Sequence, residues 1–162
     1  PELQSWEAFM ETNYLVDLSV VARYGKTGEI GYGLLQNFGL NGGAVGSSVG
    51  HDAHNVVIAG ESSEDMELVA RRIKELKGGV VVVKGGKVIG EVPLPIAGLL
   101  SDERGTRVAE QTTALKEAWS SVGCSLPYMG FNLLPLSVIP EIRLTDKGLV
   151  MVPEMKVRKL FN

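Results

Sequence analysis

Two adjacent glycines, Gly85-Gly86, separate the run Val80 to Lys84 from the run Lys87 to Val92, and no other feature limits the folds open to this chain as much. A two-residue loop with positive φ at both positions joins antiparallel strands whose twist it matches, so the segment predicts a β-hairpin. Val80 to Val83 is apolar at every position. A strand of that kind has no face to leave in water, so the hairpin is expected inside a sheet covered on both sides.

The flanking segments supply such cover. Ser62 followed by Asp65 resembles a helical capping box, and Met66, Val69, Ala70, Ile73 and Leu76 then recur at helical spacing. Gly78 is placed to end that helix in a left-handed conformation. A second helix is predicted from Ser101 or Asp102, whose side-chain oxygens can satisfy free N–H groups. It carries Val108, Thr112, Leu115, Trp119 and Val122 on one stripe, and Gly123 ends it. Leu15 to Ala22, Ala44 to Val49 and Val56 to Ala59 read as strands, and Leu144 to Val150 as a turn between short ones. Within the glycine-dense stretch Gly25 to Gly50, the part before Ala44 fits either a strand or a short helix. Pro93, Pro95, Pro127, Pro135 and Pro140 predict extended or looped connections later in the chain. The expected class is α+β or α/β: a mixed sheet from strands near Leu15, Val56, Val80 and Lys87, with two main amphipathic helices packed on it.

With 162 residues, 44% of them hydrophobic, the chain has core enough for a single domain over 1–162, residues 1–14 being expected as an N-terminal extension. A formal net charge of -3, with no basic run, gives no electrostatic reason for nucleic acid or an anionic membrane as partner. No window approaches the roughly 20 apolar residues of a membrane span. Pro1 to Met10 does not read as a secretory signal. The lone Cys124 excludes an internal disulfide and fits a reducing compartment, so a cytoplasmic protein is expected. The start at Pro1 fits processing, or a piece of a longer protein.

The densest polar cluster is Ser47-Ser48-Val49-Gly50-His51-Asp52-Ala53-His54-Asn55, which holds both histidines of the chain between two apolar segments. Such a cluster at a strand end suits a binding or catalytic site, and it equally suits side chains that tie down a tight loop. A metal is not expected here. Two histidines and one aspartate could hold an ion, but they supply no more than the three protein ligands that catalytic zinc takes beside its water. In an extended segment His51 and His54, three apart, would also point to opposite faces. Ser101, Asp102 and Glu103 form a second candidate, although acids in a first helical turn explain themselves. Cys124 has no histidine beside it in sequence, and Glu141 is a lone acid after an apolar stretch. Phosphate-binding loops, the dinucleotide fingerprint and the nucleophile elbow are missing, as is the His-x-Glu plus Pro-Cys-x-x-Cys signature of zinc nucleobase deaminases.

Several runs in order resemble the C-terminal domain of bacterial and archaeal adenine deaminases: Gly46-Ser-Ser-Val-Gly-His-Asp-Ala-His-Asn55, Glu64-Asp-Met66, Gly78-Gly-Val-Val-Val-Val83 and Pro93-Leu-Pro-Ile-Ala-Gly-Leu-Leu-Ser-Asp-Glu103, then Val138-Ile-Pro-Glu141 and Leu144-Thr-Asp-Lys-Gly-Leu-Val150. The similarity covers about Leu15 to Val152. It implies a metal-dependent amidohydrolase that converts adenine and water to hypoxanthine and ammonia in purine salvage. Its manganese or iron would sit in a (β/α) barrel upstream of this domain, so no cofactor is expected on this chain and the chain alone is expected to be inactive. The resemblance also implies that His51, Asp52, His54, Asn55 and Ser48 help close or shape the adenine site, with Ser101, Asp102 and Glu103 supporting the same face. Two positions depart from the family pattern: Ala53 stands where serine is usual, and Met129 to Leu134 differ.

The implied partners are the upstream barrel, adenine at the interface between the two, and further copies in a homo-oligomer. Two other classes compete with this reading. One is a stand-alone purine or small-molecule binding module; the other is a structural or oligomerisation domain.

Overall fold

The computed structural model describes residues 5–25 and 28–160. Residues 1–4 of the expected extension and residues 26–27 of the glycine-dense stretch lie outside the described residues. Six strands form one sheet: β1 (Leu15–Val21), β2 (Ile30–Gln36), β3 (Ala44–Gly50), β4 (Asn55–Gly60), β5 (Gly79–Lys84) and β6 (Lys87–Pro93), in the order β2-β1-β4-β3-β5-β6. A short helix, α1 (Trp6–Thr12), precedes β1 and occupies much of the expected extension. A smaller sheet of β7 (Ile142–Thr145), β8 (Gly148–Met151) and β9 (Lys156–Arg158) lies against β2, with Leu144 and Leu149 in the shared core. The chain is thus α+β, the first of the two expected classes, and every strand pairing is antiparallel.

The hairpin is as expected, with Gly85 at φ 56° and Gly86 at φ 74°. Alternation along the strands sends side chains to two cores. Val80 and Val82 of β5, with Val57 and Ala59 of β4, face the helix α3 (Gly105–Ser121) through Leu115, Ala118 and Trp119. Val81 and Val83, with Val56 and Ile58, face the helix α2 (Ser63–Glu75) through Val69 and Ile73. Burying these faces is the dominant stabilising term, at about 25 cal/mol for each Å² of apolar surface. Helix α2 lies so close to β3 that a Cβ on Gly46 would collide with Val69.

Both helices depart from expectation at an end. At α2 the Ser62 hydroxyl accepts the Asp65 N–H at 3.2 Å, as a capping box requires. The Asp65 carboxylate, however, does not turn back to the cap. It accepts the N–H groups of Gly85 at 3.2 Å and Gly86 at 2.8 Å, clamping the helix start to the hairpin loop. The left-handed residue ending α2 is Lys77, at φ 61°, rather than Gly78. Gly78 N–H reaches Ile73 C=O at 2.9 Å and Lys77 N–H reaches Lys74 C=O at 3.1 Å, which is the Schellman pattern shifted one residue toward the N-terminus. Helix α3 begins at Gly105, later than Ser101 or Asp102, with Arg104 at its cap and no side-chain cap bond. The Ser101 hydroxyl instead accepts the Glu103 N–H at 3.2 Å within the preceding loop.

Asp65 is buried, and bonds from N–H groups to a carboxylate are worth about 1.5–3 kcal/mol. Asp65→Asn is therefore expected to lower stability by about 2 kcal/mol, a fall of roughly 4–8 °C in thermal midpoint for a domain this size. A circular-dichroism melt within about a degree of the wild type would mean the clamp adds nothing.

Candidate functional site

The polar cluster lies where β3 turns into β4. The chain does not stay extended there: His51 to His54 make a tight turn, closed by His54 N–H donating to Gly50 C=O at 2.7 Å. His54 sits at φ 53°, a left-handed conformation that histidine tolerates better than most residues. The turn overturns the argument that His51 and His54 must diverge. Their rings lie 6.1 Å apart between centroids, and donor atoms of His51, Asp52 and His54 all fall within 4.8 Å of one another.

The cluster divides into side chains that hold the turn and side chains that the turn presents. Ser48 is fully buried; its hydroxyl donates to Gly98 C=O at 2.6 Å and accepts Gly79 N–H at 2.9 Å. Ser47, also buried, accepts Val49 N–H at 3.1 Å. Asn55 accepts the Arg23 backbone N–H at 3.1 Å and donates to the Asp146 carboxylate at 3.0 Å. Ser48 and Asn55, both expected to face substrate, are thus occupied inside the protein. His51 and His54 are half-buried and Asp52 is exposed, and among the described residues none of the three side chains makes a hydrogen bond or ion pair.

Four supporting residues escaped the sequence reading. Arg23, just past β1, donates through its guanidinium to Ser48 C=O at 3.3 Å and to Ala97 C=O, and stacks 4.6 Å from the Tyr24 ring centroid. Tyr24 hydroxyl reaches the same Ala97 carbonyl at 3.0 Å. Asp146 came to notice only as a turn residue. Asn132 C=O accepts the His51 N–H at 2.7 Å. Arg23 meets Asn55 because β1 pairs with β4, Val21 lying opposite Val56, and no local signal reveals that pairing. Within Met129 to Leu134, Phe131 packs with Phe38 and Trp119 at ring distances of 5.6 and 5.4 Å, directly before the Asn132 carbonyl under the turn.

A cleft of about 340 Å³ beside the turn is lined by Asp52, Ala53, Asn55, Pro135, Ser137 and Asp146 among others. Asp102 and Glu103 are exposed on the loop that follows Gly98, and among the described residues no hydrogen bond joins their side chains to the turn. Tyr24, Ile96 and Leu100, on the segments held by Arg23 and Ser48, are 61%, 49% and 62% exposed. Burial pushes the Cys124 thiol up to about 12, leaving little thiolate near neutral pH. Among the described residues no helix is long and apolar enough to cross a membrane.

An α+β domain with this sheet order and a His-Asp-x-His turn at one sheet end can be compared with known proteins. The family model of the adenine deaminase C-terminal domain matches residues 4–156, and the chain belongs to that family. Among individual relatives, it is 58% identical over 158 residues to the adenine deaminase of Chelativorans sp. (strain BNC1), covering 97% of this chain and 26% of that protein. It is 55% identical over the same length to adenine deaminase 3 of Rhizobium johnstonii, and 44% identical over 144 residues to an adenine deaminase of Clostridium botulinum. The chain thus spans about a quarter of the length of these curated relatives.

Proposed function

We propose that this chain is the C-terminal domain of an adenine deaminase and works only with the portion that precedes it in its relatives. The observation that carries the reading is the match across 97% of the chain to a protein named adenine deaminase, of which it covers only 26%. The reaction would be hydrolytic: water adds at the ring carbon bearing the amino group, ammonia leaves, and hypoxanthine remains. Its setting would be purine salvage in the cytoplasm, in a homo-oligomer.

Manganese or iron would supply the activated water in such an enzyme. The turn of this chain does not enclose such a centre. Generating a nucleophile needs a shaped, water-excluding cavity, and His51, Asp52 and His54 stand on an outward turn with Asp52 and Ala53 exposed. The metal ligands would then come from the upstream portion, with this domain contributing shape and polar contacts. His51, Asp52 and His54 present free donors and acceptors toward that portion. Ser48, Asn55 and Arg23 act as positioning residues that hold them. Asp102 and Glu103 would extend the same surface from the loop pinned by Ser48. Exposed Tyr24, Ile96 and Leu100 offer apolar area for the upstream portion to cover.

The test compares this chain alone with the same chain joined to the upstream portion of the Chelativorans relative, reading ammonia release from adenine. Activity is expected only in the joined protein. Turnover by the chain alone would end the idea of an incomplete domain. An inactive chimera, beside an active relative carrying its own C-terminal domain, would end the deaminase reading. Adenine binding by the isolated chain without turnover would favour a stand-alone binding module.

A further inference from the structure

We propose that His51, Asp52 and His54 form a binding site for one divalent transition-metal ion on this chain itself. The inference does not rest on the deaminase reading, because it concerns the turn alone.

Three observations carry it. The first is convergence: one donor atom from each residue lies within 4.8 Å of the other two. Donors around a tetrahedral ion at about 2.0–2.1 Å stand roughly 3.3–3.4 Å apart, so side-chain rotations that bring the donors about 1.5 Å closer complete the site. The second is availability. Among the described residues the two histidine rings contact one another, but none of the three side chains donates or accepts a hydrogen bond, so an ion displaces no existing bond. The third is a fixed base. His51 N–H is bonded to Asn132, His54 N–H to Gly50, and the next residue, Asn55, is held from both sides by Arg23 and Asp146. The backbone under the three donors is therefore set before an ion arrives, and only side-chain freedom is lost on binding.

The donor set selects the ion. Two neutral imidazoles and one carboxylate suit zinc, cobalt, nickel or ferrous iron, whereas calcium and magnesium prefer all-oxygen shells. Three ligands from one turn leave the rest of the coordination sphere to water, so the site is open.

The chain has only two histidines, both in this turn, so any histidine-dependent binding belongs to it. The experiment titrates the untagged chain with zinc chloride by calorimetry at pH 7.5 and follows both imidazoles by NMR. One equivalent is expected to bind with micromolar affinity, shifting both histidine signals, and calcium is expected to leave them in place. His51→Asn, Asp52→Asn and His54→Asn should each weaken zinc at least about tenfold, while Cys124→Ser should not. Asparagine at 54 keeps a left-handed backbone, and the wild-type NMR titration stands even if a variant folds poorly. Unmoved histidine signals at saturating zinc, or full affinity in the His51→Asn and His54→Asn variants, would overturn the assignment.

Discussion

His51→Ala, made in a full-length adenine deaminase carrying this domain, is expected to lower kcat/KM about 100-fold while leaving the thermal midpoint nearly unchanged. The separation follows from what the residue does in the fold. Its side chain makes no hydrogen bond among the described residues, and its bond to Asn132 comes from the backbone, which alanine keeps. A fully buried aromatic such as Phe131 would cost about 3–5 kcal/mol on truncation, whereas half-buried His51 leaves no comparable void. A large kinetic loss without a stability loss means the imidazole acts on substrate or on the closed state. Wild-type kinetics in this variant would reduce the turn to scaffolding and remove the main support for its role at the adenine site.

The opposite pattern is expected for Ser48→Ala. This hydroxyl is the one link that both accepts Gly79 N–H and donates to Gly98 C=O, and all three residues are buried. Alanine leaves a donor and an acceptor without partners in the interior, each costing about 1–3 kcal/mol, so a loss of about 2–4 kcal/mol is expected. The damage should also be local. Hydrogen exchange should speed up in 94–104 relative to the hairpin, because the loop is otherwise held through Arg23 and Tyr24 at Ala97 and by Leu94 N–H to Gly78. A variant with a wild-type melt and unchanged exchange in this loop would show that the serine anchors nothing.

How far the sequence reveals this fold depends on whether a signal is local. The hairpin is legible because Gly85-Gly86 names both partners of the pairing at once. Helix α2 is legible for a similar reason, since Ser62 and the stripe Val69–Ile73 lie within one element. Strand β2 is harder. Its inward positions include Gly31 and Gly33, so the hydrophobic alternation that marks a strand is missing, and the smaller sheet packs over those bare positions. Ser101 resembles the cap of α3 because it makes the kind of bond a cap makes, but within the preceding loop.

At the candidate site the residue types were legible and their geometry was not. Two histidines and an aspartate between apolar runs can be seen at once, but extended and turned backbones give opposite answers about whether they converge. The bond from His54 to Gly50 decides between them, and composition carries no trace of it. Nor could spacing show that Ser48 and Asn55 spend their polar atoms on Gly98, Gly79, Arg23 and Asp146. Those partners are 31 or more positions away along the chain and arrive only through strand pairing and loop docking.

The division of labour between Ser48 and Asn55 beneath the turn and His51, Asp52 and His54 upon it makes the turn interchangeable in a way most sites are not. Anchorage resides in the buried pair, so positions 51 and 52 can be rewritten without renegotiating the fold, while position 54 is limited to residues that accept a left-handed backbone. That separation gives an engineer a ready socket for new ligands.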